Sequence, residues 1–210
     1  MEITKTLNLS KRVVVKVGSS LLTNMNSGIR RSVLDNIVGD ISWLIKKNKE
    51  VIIVSSGAIA IGKGILSFKK ELSLNESQAV AARGQIELMN AWQKSFKKHN
   101  IQVAQILLSP EDTLNKKSSN NAKSTIKTLW SLGCVPIINE NDTTSTDEIK
   151  FGDNDILAAQ ISKLMKANCL ILLSNVDGLF ESNPSNKLKS KLVSNVKIIS
   201  RNIKAMAGVA

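Results

Sequence analysis

A chain of 210 residues, 42% hydrophobic and 22% charged, is long enough to bury the core of one globular domain, and its composition is that of a soluble protein. No apolar run reaches the length needed to cross a bilayer, so a membrane partner is excluded. The formal net charge of +12 points toward an acidic polymer, but 24 of the 29 basic residues are lysines, scattered as Lys46, Lys47, Lys69, Lys70, Lys97, Lys98, Lys116 and Lys117 with few aromatics nearby. A solvated lysine-rich surface and a compositional bias account for the charge better than a nucleic-acid site.

The stretch from Met1 to Arg12 alternates polar and apolar residues and lacks the continuous apolar core of a secretory signal, which makes the cytoplasm the default location. Five runs rich in Val, Ile and Leu follow: Val13 to Val17, Val51 to Val54, Val103 to Leu108, Val135 to Ile138 and Leu170 to Leu173. Such unbroken apolar runs read as strands of a parallel sheet buried on both faces. Between them the period becomes helical, as at Val33, Ile37, Ile41, Leu44 and Ile45, and further helices are expected at Asn75 to Lys98, Ser119 to Leu132 and Asp153 to Lys166. This βα alternation predicts an α/β fold in a single domain, 1–210, with helices on both faces of the sheet. The polar segment from Leu114 to Asn121 reads as a surface excursion.

Cys134 and Cys169 stand 35 positions apart inside apolar runs, without the short paired spacings of a zinc site or a disulfide framework, and read as small buried hydrophobes. The lone histidine, His99, follows Lys97 and Lys98 at an expected helix end, where a polar cap is ordinary. Chemistry is sought instead beyond the carboxyl ends of the strands, where loops run into helix N-termini. Those positions are small or polar throughout: Gly18-Ser19-Ser20, Ser55-Ser56-Gly57-Ala58, Asn139-Glu140-Asn141-Asp142 and Ser174-Asn175.

Gly57 to Gly64 reads GAIAIGKG and matches a P-loop up to its lysine, but Gly64 stands where Ser or Thr must ligate magnesium, and Ala58 to Ile61 resembles a helix face. In KVGSSLL, Lys16 interrupts a valine strand. It is either an outward lysine on an edge strand or an ammonium set beside the Gly18–Ser19 turn, whose N–H groups suit anionic oxygens. In VIIVSSGAIAIG, Ser56, Gly57 and Ala58 offer backbone donors at a helix start, and close strand–helix packing explains the same small residues. The most specific cluster is INENDTT with EIKFGDND: Asn139, Glu140, Asn141, Asp142, Asp153, Asn154 and Asp155 concentrate amides and carboxylates that suit an α-amino acid. One of Asp153 and Asn154 serves as N-cap of a helix beginning at Ile156, but capping needs only one such residue. The acidic spacing does not follow the EF-hand pattern.

KVGSSLL, VSSGAIAIG, AARGQ, INENDTT, EIKFGDND and SNVDGLF stand in the order and at the separations found in glutamate 5-kinases of the amino-acid kinase group, and the resemblance covers nearly the whole chain. It implies an αβα sandwich and ATP-dependent phosphorylation of the glutamate γ-carboxylate to glutamyl 5-phosphate, the first step of proline biosynthesis. By the same resemblance Lys16 contacts the phosphates, Gly18 and Ser19 line the phosphate site, and Ser174 and Asn175 begin the ATP pocket. Glutamate is held by Ser56, Gly57, Ala58, Asp142 and Asn154, with Asn139 and Asp153 close by, and Asp155 orients the active-site lysines. The cofactors implied are ATP and Mg2+, with no metal ligand assigned within the chain; the partners are L-glutamate, proline as feedback inhibitor, and further copies in a homo-oligomer.

Two features depart from the family. Asn175 stands where the family often has aspartate, and after Met206-Ala207-Gly208-Val209-Ala210 the family continues into a glycine-rich loop with a second catalytic lysine, so the kinase domain is expected to be incomplete at its C-terminal, nucleotide-binding end. The alternative to the enzyme is therefore an inactive domain that binds glutamate or proline without phosphoryl transfer.

Overall fold

Residues 2–24, 28–68, 70–144, 153–182 and 190–206 are described by a computed structural model. The chain folds as two compact units, 1–173 and 174–210. In the first, the elements in chain order are α1 (Glu2–Leu9), β1 (Arg12–Val17), α2 (Ser19–Leu22), β2 (Thr23–Asn24), β3 (Gly28–Ile29), α3 (Arg31–Lys46), β4 (Glu50–Ser55), α4 (Ala58–Ile65), α5 (Leu74–Lys97), β5 (Gln102–Leu108), α6 (Pro110–Leu114), α7 (Lys116–Ser131), β6 (Cys134–Glu140), α8 (Asp153–Met165) and β7 (Cys169–Leu173). The second unit carries an isolated bridge between Phe180 and Leu192 and the short α9 (Arg201–Met206).

The apolar runs form one parallel sheet in the order β5-β6-β4-β1-β7. Because strand side chains alternate between faces, each run serves two cores. Val13, Val15, Val17 and Ile53 pack against Leu34, Ile41, Trp92 and Phe96 of α3 and α5, whereas Val14, Ile52, Val54 and Ile138 pack against Ile126 of α7 and Leu157, Ile161 and Met165 of α8. The two layers of helices on a mainly parallel central sheet are the αβα sandwich expected from the sequence. Trp92 is fully buried and its indole N–H donates to Ser55 Oγ at 2.9 Å, which satisfies the one polar atom that such a ring brings into a core. Arg12 fastens the opposite end of the sheet: it pairs with Glu50, donates to the Met165 carbonyl and lies 4.9 Å from the Trp130 ring.

Several expectations are corrected. The 114–121 segment is no loop: Asn115 accepts from the N–H groups of Lys117 and Ser118, and this cap starts α7 at Lys116. The alternating N-terminal stretch holds the helix α1. The helix face expected within GAIAIGKG, by contrast, is present as α4, with Gly57 as its N-cap. Cys134 and Cys169 are half-buried rather than buried, and burial pushes the Cys169 thiol upward. Among the described residues no helix is long and apolar enough to cross a membrane.

The longest helix, α5, is started by a capping box. Ser73 N–H donates to Glu76 Oε2 at 2.9 Å, Glu76 N–H donates back to Ser73 Oγ, and Lys70 Nζ lies 2.9 Å from Glu76 Oε1. The Ser73 N–H above all, with Lys70, lowers the Glu76 carboxyl from an ordinary 4.5 to about 2. A depressed carboxyl stabilises the fold above its unfolded value, and that contribution disappears as pH falls through the folded value. Glu76→Gln is therefore expected to lower the melting temperature at pH 7, with the difference from wild type shrinking between about 4.5 and about 2, as read by thermal denaturation across that range.

Candidate active site

Every strand of the sheet ends at the same side, so the polar strand ends of β1, β4 and β6 meet there. Lys16 occupies the penultimate position of β1, in register with Val54 of β4 and Leu172 of β7. β1 lies between two partners, which removes the edge-strand explanation for this lysine. Lys16 shares its face with Val14, toward α8, and is only 8% exposed. Its Nζ lies 2.7 Å from Asp155 Oδ1, in the first turn of α8. A buried ammonium requires such a partner, and a carboxylate is favoured at a helix N-terminus.

The turns beside this pair are built partly by their own backbone. Gly18 N–H donates to the Leu173 carbonyl at 3.0 Å and Ser56 N–H to the Val17 carbonyl at 3.1 Å, so both continue the sheet ladder. Neither is the free anion donor expected from the sequence; the helical starts at Ser19 and Ala58 hold the N–H groups that lack an intrahelical acceptor. Gly57 adopts φ +114°, a left-handed conformation that favours glycine and turns the chain into α4.

A row of amides lies beside the ion pair. Asn154 Nδ2 donates to Ser56 Oγ at 2.9 Å and to Asn139 Oδ1 at 3.2 Å, and Asn139 Nδ2 donates to Gln85 Oε1 at 2.8 Å. The helix α8 starts at Asp153 rather than Ile156, so Asn154 sits inside the first turn and uses its side chain to tie α8 to β4 and β6. Asn139 is 2% exposed. Among the described residues, the buried side-chain atoms without a hydrogen-bond partner are Gln85 Nε2 and Asn154 Oδ1. Unpaired buried polar atoms are costly in a protein interior, and a pair of them at one site marks a place suited to a polar ligand.

The remaining candidates are less fully placed. Asp142 is half-buried in the turn that follows β6. Asp153 begins α8, but its side chain, like residues 145–152 with the whole of EIKFG, lies outside the described residues. Ser174 and Asn175 open the second unit, are exposed, and bond to each other at 3.3 Å. Gln85 has no role assigned from sequence. The signal that could have found it is a polar residue beside Gly84 and Leu88 on the buried side of α5. A cavity of about 320 Å³ is lined by Leu7, Val15, Ile37, Trp43 and Ile171 among others, and none of its lining residues is a candidate.

Residues 11–202 match the sequence model of the amino acid kinase family. The chain belongs to that family. It is 49% identical over 199 residues to a glutamate 5-kinase of Pelagibacter ubique, covering 94% of this chain and 54% of that protein. A glutamate 5-kinase of Nitrosospira multiformis is 48% identical over 205 residues, covering 97% of this chain and 55% of that protein. The chain thus spans about half the length of the curated relatives it matches. Among solved structures, a UMP kinase from Bacillus anthracis aligns with a TM-score of 0.60 at 18% identity over 87% of this chain and 72% of its own. An isopentenyl phosphate kinase from T. acidophilum aligns with the same TM-score at 16% identity, over 87% and 78%. These two share the amino-acid-kinase fold.

In this member of the family the site is held in place by a glycine contact between α4 and α5. A Cβ on Gly84 would lie 1.8 Å from the Ala58 carbonyl oxygen, and one on Gly62 would lie 2.0 Å from that of Val80. Both obstacles are backbone, so the helices must separate to admit a methyl group. Gly84→Ala is expected to destabilise the protein by about 3 kcal/mol or more in denaturant unfolding.

Proposed function

We propose that this chain phosphorylates the γ-carboxylate of L-glutamate at the expense of ATP, giving glutamyl 5-phosphate, in the cytoplasm and as the first step of proline biosynthesis. The observation that carries the reading is that two consecutive residues of α8 build the site: Asp155 pairs with Lys16, and the Asn154 amide bonds to the Ser56 hydroxyl and the Asn139 amide. The resemblance to glutamate 5-kinases at 44–49% identity supports it.

The chemistry suits these residues. A glutamate side chain is already ionised at neutral pH, so it needs no general base to act as nucleophile. The obstacle is repulsion between the carboxylate and the phosphates, and positioning with charge neutralisation is what such a site supplies. Lys16 brings a fixed ammonium, the first turns after Gly18 and Gly57 bring N–H groups, and the amides hold the amino-acid head. Among the described residues no three His, Cys, Asp or Glu side chains gather as a metal-ligand set. Mg2+ in such sites is carried mainly on nucleotide phosphates and takes few protein carboxylates. When bound with ATP, it neutralises phosphate charge. Proline shares the α-amino and carboxylate groups and competes for the same amides.

A second reading is a domain that binds glutamate or proline without transfer. Incubation with ATP, Mg2+ and glutamate, with hydroxylamine to trap an acyl phosphate as hydroxamate, separates the two. Hydroxamate formation is expected. Binding of glutamate or proline by calorimetry without hydroxamate would favour the second reading, and binding of neither would sink both.

Within the active reading, Lys16→Met keeps the apolar stem and removes the charge, so kcat is expected to fall about a hundredfold, as for loss of one transition-state donor, with glutamate KM little changed. Asn154→Ala is expected to raise the glutamate KM about tenfold or more and to leave the ATP KM within about threefold, measured by steady-state kinetics.

A further inference from the structure

Parallel strands that run side by side part at their carboxyl ends, and whatever holds the two exits at a set distance decides how closely two ligands bound there can meet. β1 and β4 stay in register up to Val17 and Ser55. Among the described residues, the last backbone hydrogen bond between the two segments runs from Ser56 N–H to the Val17 carbonyl at 3.1 Å. Beyond it the chain enters α2 on one side and the Gly57 bend on the other. The gap between these turns is left to side chains.

Thr23, the first residue after α2, faces both. Its hydroxyl donates to the Ser19 carbonyl at 2.9 Å, and its backbone N–H donates to the same oxygen. A carbonyl oxygen can only accept, so the sense of both bonds is fixed. The hydroxyl tie holds χ1 of a β-branched side chain, and with χ1 held the methyl has one place to go. That place is over Gly57: a Cβ there would lie 3.4 Å from Thr23 Cγ2 and 3.8 Å from Ser19 Cα. One half-buried side chain thus grips the exit of β1 by its oxygen and faces the exit of β4 with its carbon.

We propose that Thr23 is a positioning residue for phosphoryl transfer: it spaces the turn after β1, which receives the phosphates, from the turn after β4, which receives the amino acid. This rests on the reading that glutamate is phosphorylated here. Reacting atoms have to be held about 3–3.5 Å apart, and a displacement of about 1 Å costs about a hundredfold in rate, so a spacer acts on turnover. Binding of either ligand alone uses one turn and does not sense the gap.

The test separates the two ends of the side chain in the whole chain. Thr23→Ser keeps the hydroxyl and deletes the methyl. Thr23→Val puts a carbon where the oxygen stands, 2.9 Å from the Ser19 carbonyl. Carbon and carbonyl oxygen approach only to about 3.3 Å, so the valine has to turn and its other methyl leaves Gly57. For both variants hydroxamate kinetics are expected to show kcat lowered about tenfold or more, with the glutamate and ATP KM within about threefold of wild type. Calorimetry is expected to show the glutamate Kd within about threefold as well. An unchanged kcat in a folded variant overturns the proposal. So does a glutamate Kd weakened as much as kcat falls, which reduces Thr23 to a structural part of the amino-acid site, or a loss of activity matched by loss of folded protein in thermal denaturation. Thr23→Ser deletes one methyl group only, so it decides the matter should the valine variant fail to fold. Wild type that yields no hydroxamate overturns the transfer reading and this proposal with it, an outcome distinct from a wild type that turns over and variants that match it.

Discussion

A lysine buried in the middle of a parallel sheet is the constraint around which the site is arranged. Lys16 cannot turn its ammonium to the solvent at a sheet edge, because β4 and β7 flank it on both sides. Its register puts the side chain on the face covered by α8, and burial of the charge demands a counter-ion there. Asp155 meets the demand only if the first turn of α8 sits over the carboxyl ends of β1 and β6. Once it does, the preceding residue, Asn154, is brought within hydrogen-bond distance of Ser56 and Asn139. The ion pair thus sets the place of the helix, and the helix sets the place of the amides.

The opposite side of the site is set by close packing instead of charge. Gly62 and Gly84 let α4 and α5 meet backbone to backbone, and this contact fixes the distance from the Gly57 bend to Gln85. Glycine gives up helix propensity at both places, a local cost of about 1 kcal/mol each relative to alanine. The structure accepts that cost where a side chain would force the two helices apart. Core residues on the same helix, Leu88, Trp92 and Phe96, then anchor α5 to the sheet below.

Much of this is legible in the sequence. The five strands stand out because a sheet covered on both faces needs unbroken apolar runs, and each observed strand contains its expected run. The α3, α5 and α8 patterns are legible because an amphipathic period survives in a surface helix. The start of α7 escapes notice because KKSSNNAKS has no apolar period; the Asn115 cap and one buried face through Ala122 and Ile126 decide it. Lys16 cannot be resolved from its segment alone, since strand order is a property of distant pairing: β7, which flanks it, lies more than 150 residues away in the chain. Asn154 resembles a cap because local sequence reports local partners, whereas its partners are 98 and 15 positions distant. Gln85 is invisible for the same reason, being 54 positions from Asn139.

One turn of α8 joins two kinds of recognition. Successive residues on an α-helix point about 100° apart, so Asn154 and Asp155 face different neighbours from a single rigid segment. Asp155 takes the charged partner on β1, and Asn154 takes neutral partners after β4 and at the end of β6. Neither contact can lengthen without dragging on the other, because the backbone between them is one helical residue. A charge held at 2.7 Å and an amide held at 2.9 Å therefore act as two fixed points on the same body, and three strands of one sheet supply the surface to which that body is bolted. The geometry of the lysine and the geometry of the amide row are in this way a single structural quantity, set by where the first turn of α8 rests.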